Sequence, residues 1–282
     1  MGILVCVAGM PYAEATIGFG GVIAHITTSP VTLLHVMRQT EERAVSDRIL
    51  ALAREMLPGL AVETRLRRGD PIGRILAEIR EGGYDLVVVG APQAVGLTQR
   101  LLSSITLQIV RRAPTSVLVV GQARPGLERI LICSGGLDVA EPVIETGARL
   151  AGMAHARATL LHVASPIPSM YTGLNEIEET LLELLQTATP IARHLCHGAE
   201  ILARHQVSAE LELRYGVVAD EILREAHTGG YDLIVLGVAR TAVRLKRWLL
   251  GDVTQRIVDH ALLPVLVVKA ISAGSDEPPA KL

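Results

Sequence analysis

Two stretches of this sequence have the make-up of a phosphate cradle. Gly90-Ala91-Pro92-Gln93 is followed, nine residues on, by Ser103-Ser104, placed to open a helix, and Gly237 begins a second loop that ends at Gly251-Asp252. Glycine lets a main chain approach an anion closely, and the amino end of a helix presents unpaired N–H groups at the positive end of its dipole. The bland alternative is that Gly90 and Gly237 only permit a tight turn from strand to helix. Other groups capable of chemistry are sparser. His35 and His162 lie inside apolar runs, where a hydrogen-bonded structural ring is the commoner use of histidine. In His194-Leu195-Cys196-His197 a helix would put both histidines on one face and Cys196 off it, so no metal-binding set forms. Arg244, Lys246, Arg247 and Trp248 make a basic cluster near the second loop, fit for an anion or an acidic partner but more simply a solvated helix start. Spacing yields neither a Ser/His/Asp set nor a carboxylate pair, and no catalytic residue is assigned.

The glycine loops are placed by a repeat. Tyr84-Asp85-Leu86-Val87-Val88-Val89-Gly90 returns as Tyr231-Asp232-Leu233-Ile234-Val235-Leu236-Gly237, each copy preceded by Gly-Gly. Ile3 to Cys6 returns as Ile130 to Cys133, Thr32 to Val36 as Thr159 to Val163, and Val117 to Val120 as Val265 to Val268, in the same order. Such self-similarity means two copies of one unit, and a chain of 282 residues suits two domains of about 140, each able to bury its own core. The first domain is expected over residues 1–124 and the second over 125–271, with a polar, Pro-containing tail at 272–282 that should be disordered. His35 and His162 are 127 apart whereas Gly69 and Gly216 are 147 apart, so the second copy carries 147 − 127 = 20 extra residues, between 164 and 215. A Pro-rich loop from Ser165 to Thr172 and an acidic helix from Asn175 to Gln186, ended before Pro190, are expected there.

Within the first half, apolar runs at Ile3 to Ala8, Val31 to Val36, Leu60 to Leu66, Leu86 to Val89 and Ser116 to Val120 read as strands. Between them, Ala13 to His25, Glu41 to Leu57, Pro71 to Arg80 and Leu97 to Arg112 have helical period, the third with Asp70 as N-cap and Pro71 at its first position. Alternation of this kind predicts the α/β class: doubly wound domains with parallel sheets, right-handed crossovers and helices on both faces. The 49% hydrophobic content with only 2% aromatics fits aliphatic strands buried on both sides. A net charge of -2 excludes a global basic field for nucleic acid or anionic membrane, and no apolar run reaches the roughly 18 residues of a membrane helix. Met1 to Met10 lacks a basic n-region and its sequence returns at Ile130, so it is expected to be a first strand rather than a signal peptide. Cys6 and Cys133 hold matching places in apolar strands, as buried thiols in a reducing cytoplasm would.

On these motifs each half resembles a universal stress protein domain, and residues 1 to 270 resemble a tandem member of that family. The resemblance implies five parallel strands in the order 3-2-1-4-5 in each half, and the halves facing each other as a pseudo-dimer. Their last strands, both apolar edges, would pair and cover one another. It also implies an adenine nucleotide, ATP, as ligand. The family's ATP binders carry Gly, two residues, Gly, nine residues, then Gly and a hydroxyl residue. The first half keeps Gly90, has Gln93 and Ser103 for the other two glycines, and matches the hydroxyl with Ser104. The second half keeps Gly237, has Arg240 for the second glycine, gains one loop residue, keeps Gly251, and has Asp252 where the hydroxyl belongs. Ala8 and Gly135 stand where those binders place an acid for the nucleoside, while Val36 and Val163 keep the main-chain contact after the strand-two histidine.

These departures imply ATP binding that is weak or absent, poorer in the second half because Asp252 would repel phosphate. The function expected is that of a cytoplasmic stress-response or regulatory protein acting by ligand or protein binding rather than turnover, without metal, nucleic acid or membrane. Its protein partners are not named by the sequence, and pairing of two whole chains stands beside the internal pseudo-dimer. One alternative is an ATP-binding or slowly hydrolysing switch using the first-half loop. Another is an adenylating enzyme using Ser134-Gly135-Gly136-Leu137-Asp138, which resembles the Ser-Gly-Gly-x-Asp loop of ATP-pyrophosphatases but continues with Val139 in place of their Ser or Thr.

Overall fold

The computed structural model describes residues 2–91, 97–135, 137–164, 181–239 and 251–270. The first half alternates β1 (Ile3–Val7), α1 (Glu14–Thr27), β2 (Val31–Met37), α2 (Arg43–Glu55), β3 (Val62–Arg68), α3 (Pro71–Gly82), β4 (Leu86–Gly90), α4 (Leu97–Arg112) and β5 (Ser116–Val120). The second follows with β6 (Arg129–Ser134), α5 (Leu137–Ala154), β7 (Arg157–Ala164), α6 (Leu181–Leu185), α7 (Pro190–Arg204), β8 (Ala209–Tyr215), α8 (Val218–Thr228), β9 (Leu233–Ala239), α9 (Asp252–His260) and β10 (Val265–Ala270). Helix starts obey the sequence signals. Asp70 accepts the Gly73 N–H at 2.7 Å with Pro71 at the first position of α3, and Thr189 accepts the Ala192 N–H at 3.2 Å ahead of Pro190 in α7. In the inserted segment only α6 and the turn after it fall within the described residues; the Pro-rich loop and the first part of the expected acidic helix lie outside them, as does the tail.

The ten strands among the described residues form one sheet, in the order β3-β2-β1-β4-β5-β10-β9-β6-β7-β8. Each half therefore has the order 3-2-1-4-5, and neighbours are parallel except at the seam, where β5 and β10 run antiparallel with Val117 opposite Val267, Leu118 opposite Leu266 and Val119 opposite Val265. Two apolar last strands, each an exposed template if left alone, satisfy one another's main chain. The outermost strands, β3 and β8, instead carry Glu63, Arg65 and Arg67 or Glu210, Glu212 and Arg214, charges that discourage further edge pairing.

Burial on both faces builds two core layers, and each crosses the seam. One lies under α1, α2, α5 and α7, with Ile17, Phe19, Leu118, Ile144, Leu195 and Leu266 among its members; the other lies under α3, α4, α8 and α9. Apolar side chains of both halves enter each layer, every fully buried one contributing about 1.5–3 kcal/mol.

The repeated Gly-Gly-Tyr-Asp motif ties elements together at the end of the sheet away from the glycine loops. Tyr84 donates to the Glu78 carboxylate at 3.0 Å, and Tyr231 to Glu225 at 2.8 Å. A Cβ on Gly82 would come within 2.2 Å of the Tyr84 ring, and one on Gly229 within 2.1 Å of Tyr231, so the first glycine makes room for the ring. The second glycine takes a left-handed φ, 62° at Gly83 and 66° at Gly230, to end the helix. Asp232 accepts the Glu128 and Arg129 N–H groups at 2.9 and 3.0 Å, and Asp85 accepts the Gly2 N–H at 2.6 Å, fastening the start of the fourth strand of each half to the start of its first. Glu78 is 1% exposed, facing Arg65 and Arg67. Burial alone would raise its carboxyl, but the hydrogen bonds from Arg65 and Tyr84 and the charges of both arginines outweigh that and hold it below the usual range.

Candidate functional site

In an open parallel sheet the chain turns over the carboxyl ends of the strands, and those of β1, β2 and β4 in the first half surround a cavity of about 140 Å³. Ala8 just beyond β1, Val36 near the end of β2 and Gly90 at the end of β4 all line it, although they are dispersed in sequence. Its walls are otherwise mainly aliphatic. Tyr12, Thr16, Arg38 and Thr106 supply polarity, and sequence reasoning passed over all four. The signal that finds Tyr12 and Arg38 is position, since both stand in loops leaving the carboxyl ends of β1 and β2.

Gly90 has a packing reason to be glycine. A Cβ there would lie 2.9 Å from the Thr16 hydroxyl oxygen, and Thr106 donates its hydroxyl to the Gly90 carbonyl at 2.9 Å, so the strand end is clasped between α1 and α4. Helix α4 begins at Leu97, which puts Ser103 and Ser104 six and seven residues inside it. The expectation that these serines open the helix is thereby corrected: the leucine-rich period from Leu97 continues unbroken through them, so their N–H groups are not helix-end donors. Gln93 lies outside the described residues.

Cys6 also lines the cavity. Burial, with the Glu78 charge adding to it, pushes its thiol up to about 12, far from a nucleophilic thiolate at neutral pH. His35 is spent on structure: Nδ1 donates to the Val7 carbonyl at 2.7 Å, and Nε2 meets the Glu41 carboxylate at 2.8 Å. Burial pushes the Glu41 carboxyl upward, but hydrogen bonds from Ser46 and His35 outweigh it and hold it low. The satisfied structural histidine read from the sequence is what stands there.

The second half differs at the corresponding places. Strand β9 does not stop at Gly237; Gly237, Val238 and Ala239 pair with Val268, Lys269 and Ala270 of β10, so Gly237 is a strand residue rather than the start of a turn. Gly251 caps α9 and Asp252 is its first residue, the position where a carboxylate complements the helix dipole and repels an anionic ligand. Arg240 and the basic cluster from Arg244 to Trp248 lie outside the described residues. Gly135 follows β6 and is exposed, and Val163 is half-buried in β7. The Ser134 hydroxyl, 7% exposed, lies 3.3 Å from the Leu161 carbonyl and 3.0 Å from His162 Nδ1, turned into the protein rather than toward a ligand. His194 stands edge-on to His162, ring centroids 6.4 Å apart. Burial lowers the pKa of both rings, offset in part for His162 by Ser134 and deepened for His194 by the charges of His162 and His197. Among the described residues no group of three or more His, Cys, Asp or Glu could hold a metal ion, and no helix is long and apolar enough to cross a membrane.

Comparison with known proteins is consistent across sequence and structure. The profile of the Universal stress protein family matches the chain twice, over residues 1–121 and 126–269. A universal stress protein of Bacillus subtilis is 28% identical over 146 residues, covering 50% of this chain and 98% of the relative, and one of Methanocaldococcus jannaschii is 30% identical over 149 residues, covering 50% and 82%. Half of this chain thus spans most of a single-domain relative. Among solved structures, a functionally unknown protein of Pseudomonas aeruginosa superposes with a TM-score of 0.70 at 21% identity, covering 95% of this chain and 92% of its own. A universal stress protein of Archaeoglobus fulgidus gives 0.65 at 14% identity, covering 95% and 98%.

Proposed function

The chain belongs to the universal stress protein family, and from that premise we propose that it is a cytoplasmic stress-response regulator that binds one small ligand per chain, in its first half, and acts by that binding rather than by turnover. The observation that carries this reading is the inequality of the two halves. Ala8, Val36 and Gly90 converge on one cavity in the first half, whereas the second half runs Gly237 into a strand and sets Asp252 at the start of α9. An adenine nucleotide is the ligand class the family suggests. The aliphatic walls suit a planar base, Arg38 supplies the cation at the rim, and the small volume favours a weakly held ligand. A binding role fits the cavity's chemistry: its thiol is held protonated by burial, and the described residues lining it include no carboxylate or histidine to act as a base toward its hydroxyls. The inward-turned Ser134 hydroxyl gives the adenylating alternative no support.

Native mass spectrometry of freshly purified protein, with calorimetric titration of Mg-ATP, tests the proposal. One weak site per chain, abolished by Ala8→Trp, which fills the cavity, is the expected result. Two equivalent tight sites, or a site untouched by Ala8→Trp, would refute it.

A further inference from the structure

A second cavity, larger than the first and at the opposite end of the strands, straddles the seam. It measures about 450 Å³, within the usual range for small-molecule sites of roughly 300–1,000 Å³, and lies between α1 of the first half and α5 of the second. Its floor is made of matched residues from the two halves: Ile23 with Leu150, Leu86 with Leu233, and Leu118 with Leu266. All six are at most 7% exposed, so the floor is a continuous aliphatic surface over the antiparallel pair.

The pseudo-symmetry that makes this floor is broken on the walls. Helices α1 and α5 match at an offset of 127: Gly20 and Gly147 both lie against the first strand of their half, and Thr28 and His155 share a left-handed φ of 50° and 53°. In this register Phe19, among the largest fully buried side chains, corresponds to Thr146, and the partly buried aliphatic Val22 corresponds to the exposed Arg149. Where one helix fills its side with an aromatic ring, the other leaves space and adds a cation. Thr146 donates its hydroxyl to the Pro142 carbonyl at 2.7 Å and Thr27 donates to the Ile23 carbonyl at 2.7 Å, so neither proton is directed at a ligand. Asp85, at the mouth, turns its carboxylate to the Gly2 N–H. Arg149 is the charged donor of the rim, and exposed Met153 beside it adds an adaptable apolar lip.

We propose that this crevice binds an amphipathic carboxylate, an unbranched aliphatic acid of medium chain length, with its tail on the Leu118–Leu266 floor and its head on Arg149. Apolar burial supplies the affinity and the guanidinium–carboxylate pair sets the orientation and the preference for an anion. The site is independent of the first-half cavity and of its ligand.

Sodium decanoate below its micelle concentration, titrated calorimetrically into the full chain, is the probe, with decanol as the neutral molecule of equal tail. Saturable one-to-one binding of decanoate is expected. Thr146→Phe, which restores the aromatic found at position 19, should abolish binding of both probes, while Thr146→Val, of unchanged size, should retain it and serve as the folding control. Arg149→Val should weaken decanoate about tenfold and leave decanol unchanged. Absence of saturable binding, indifference to Arg149→Val, or full binding by a folded Thr146→Phe protein would each overturn the proposal.

Discussion

Lys269 is the group whose ionisation should be legible in the stability of the whole molecule. It lies on β10, 8% exposed, and its Nζ donates to the Val110 carbonyl in the last turn of α4, in the other half. Its main-chain N–H also donates to the Ser116 hydroxyl at 3.3 Å on β5. Burial pushes the ammonium pKa down to about 7. The folded state therefore gives up this proton well before the unfolded chain does, whose lysine titrates near 10.4. Between those values the unfolded state binds the extra proton, so stability rises with pH: the charge costs stability below pH 7, and the cost is relieved as pH increases. At about 1.4 kcal/mol per pH unit once the folded amine is neutral, the gain from pH 7 to 8.5 is about 1.5 kcal/mol, or about 3 °C in Tm for a cooperative unit of this size. The window must close there, because the Cys6 and Cys133 thiols, both pushed upward by burial, act oppositely: unfolded cysteine ionises from about pH 8.5, and two thiols together outweigh the continuing gain from Lys269, so stability falls with further rise. Scanning calorimetry at several pH values, on wild type and Lys269→Met, reads the effect. A wild-type Tm that is flat or falling from pH 7 to 8.5, or a Met variant that keeps the rise, would refute the reasoning.

Glu78→Ala should cost about 3 kcal/mol by urea denaturation, because it leaves Arg65, Arg67 and Tyr84 without the buried carboxylate that organises them. Gly82→Ala should cost about 2 kcal/mol through collision with the Tyr84 ring, and a double-mutant cycle with Tyr84→Ala should recover more than half of that loss. Acidification below about pH 6.5 should destabilise the protein through His162 and His194, whose lowered folded pKa values leave the unfolded state binding more protons; the effect should shrink in His194→Leu when Tm is followed from pH 7 to 5.5. Ala8→Asp with Gln93→Gly should strengthen Mg-ATP binding in the first half at least tenfold by equilibrium dialysis, while Asp252→Ser alone should create no second site; a folded double variant that binds no better would show that more than these two side chains closes the pocket.

Much of the architecture was readable from the sequence because its determinants are local and periodic. Aliphatic runs bounded by Gly, Pro and Asp mark strands, Asp70-Pro71 and Thr189-Pro190 mark helix starts, and the twin apolar strands Val117 to Val120 and Val265 to Val268 could be satisfied by pairing. The site was harder to read. The helical period read over Leu97 to Arg112 matches α4, but Ser103-Ser104, which resemble a helix opening beside the glycine loop, lie inside that period rather than at its start. Gly237 matches Gly90 in sequence, yet pairing with an extended β10 keeps it inside a strand, a tertiary decision that no local pattern records. The conspicuous Tyr-Asp of the repeat serves structure through Glu78 and Glu225, six residues earlier, a relation that needs the helix-to-strand turn to be seen. The crevice beside Arg149 becomes visible only when Phe19 and Thr146 are compared across a seam whose geometry is known.

The antiparallel seam has a consequence for dosage. Two separate units would pair by mass action, and the fraction paired would rise and fall with the amount synthesised. Here Val120 and Arg129 are joined by residues 121 to 128, a tether of 128 − 120 = 8 residues, so each half meets the other at an effective concentration in the millimolar range whatever the cellular level of the chain. Pairing is then insensitive to induction or dilution, and the partner cannot be exchanged for a relative carrying a similar edge strand. A unit with a guaranteed partner is released from having to be self-complementary. Selection can act on one wall of the shared groove, placing threonine and arginine on α5, without the same substitutions appearing opposite on α1, which a symmetric homodimer built from one repeated unit would be forced to carry.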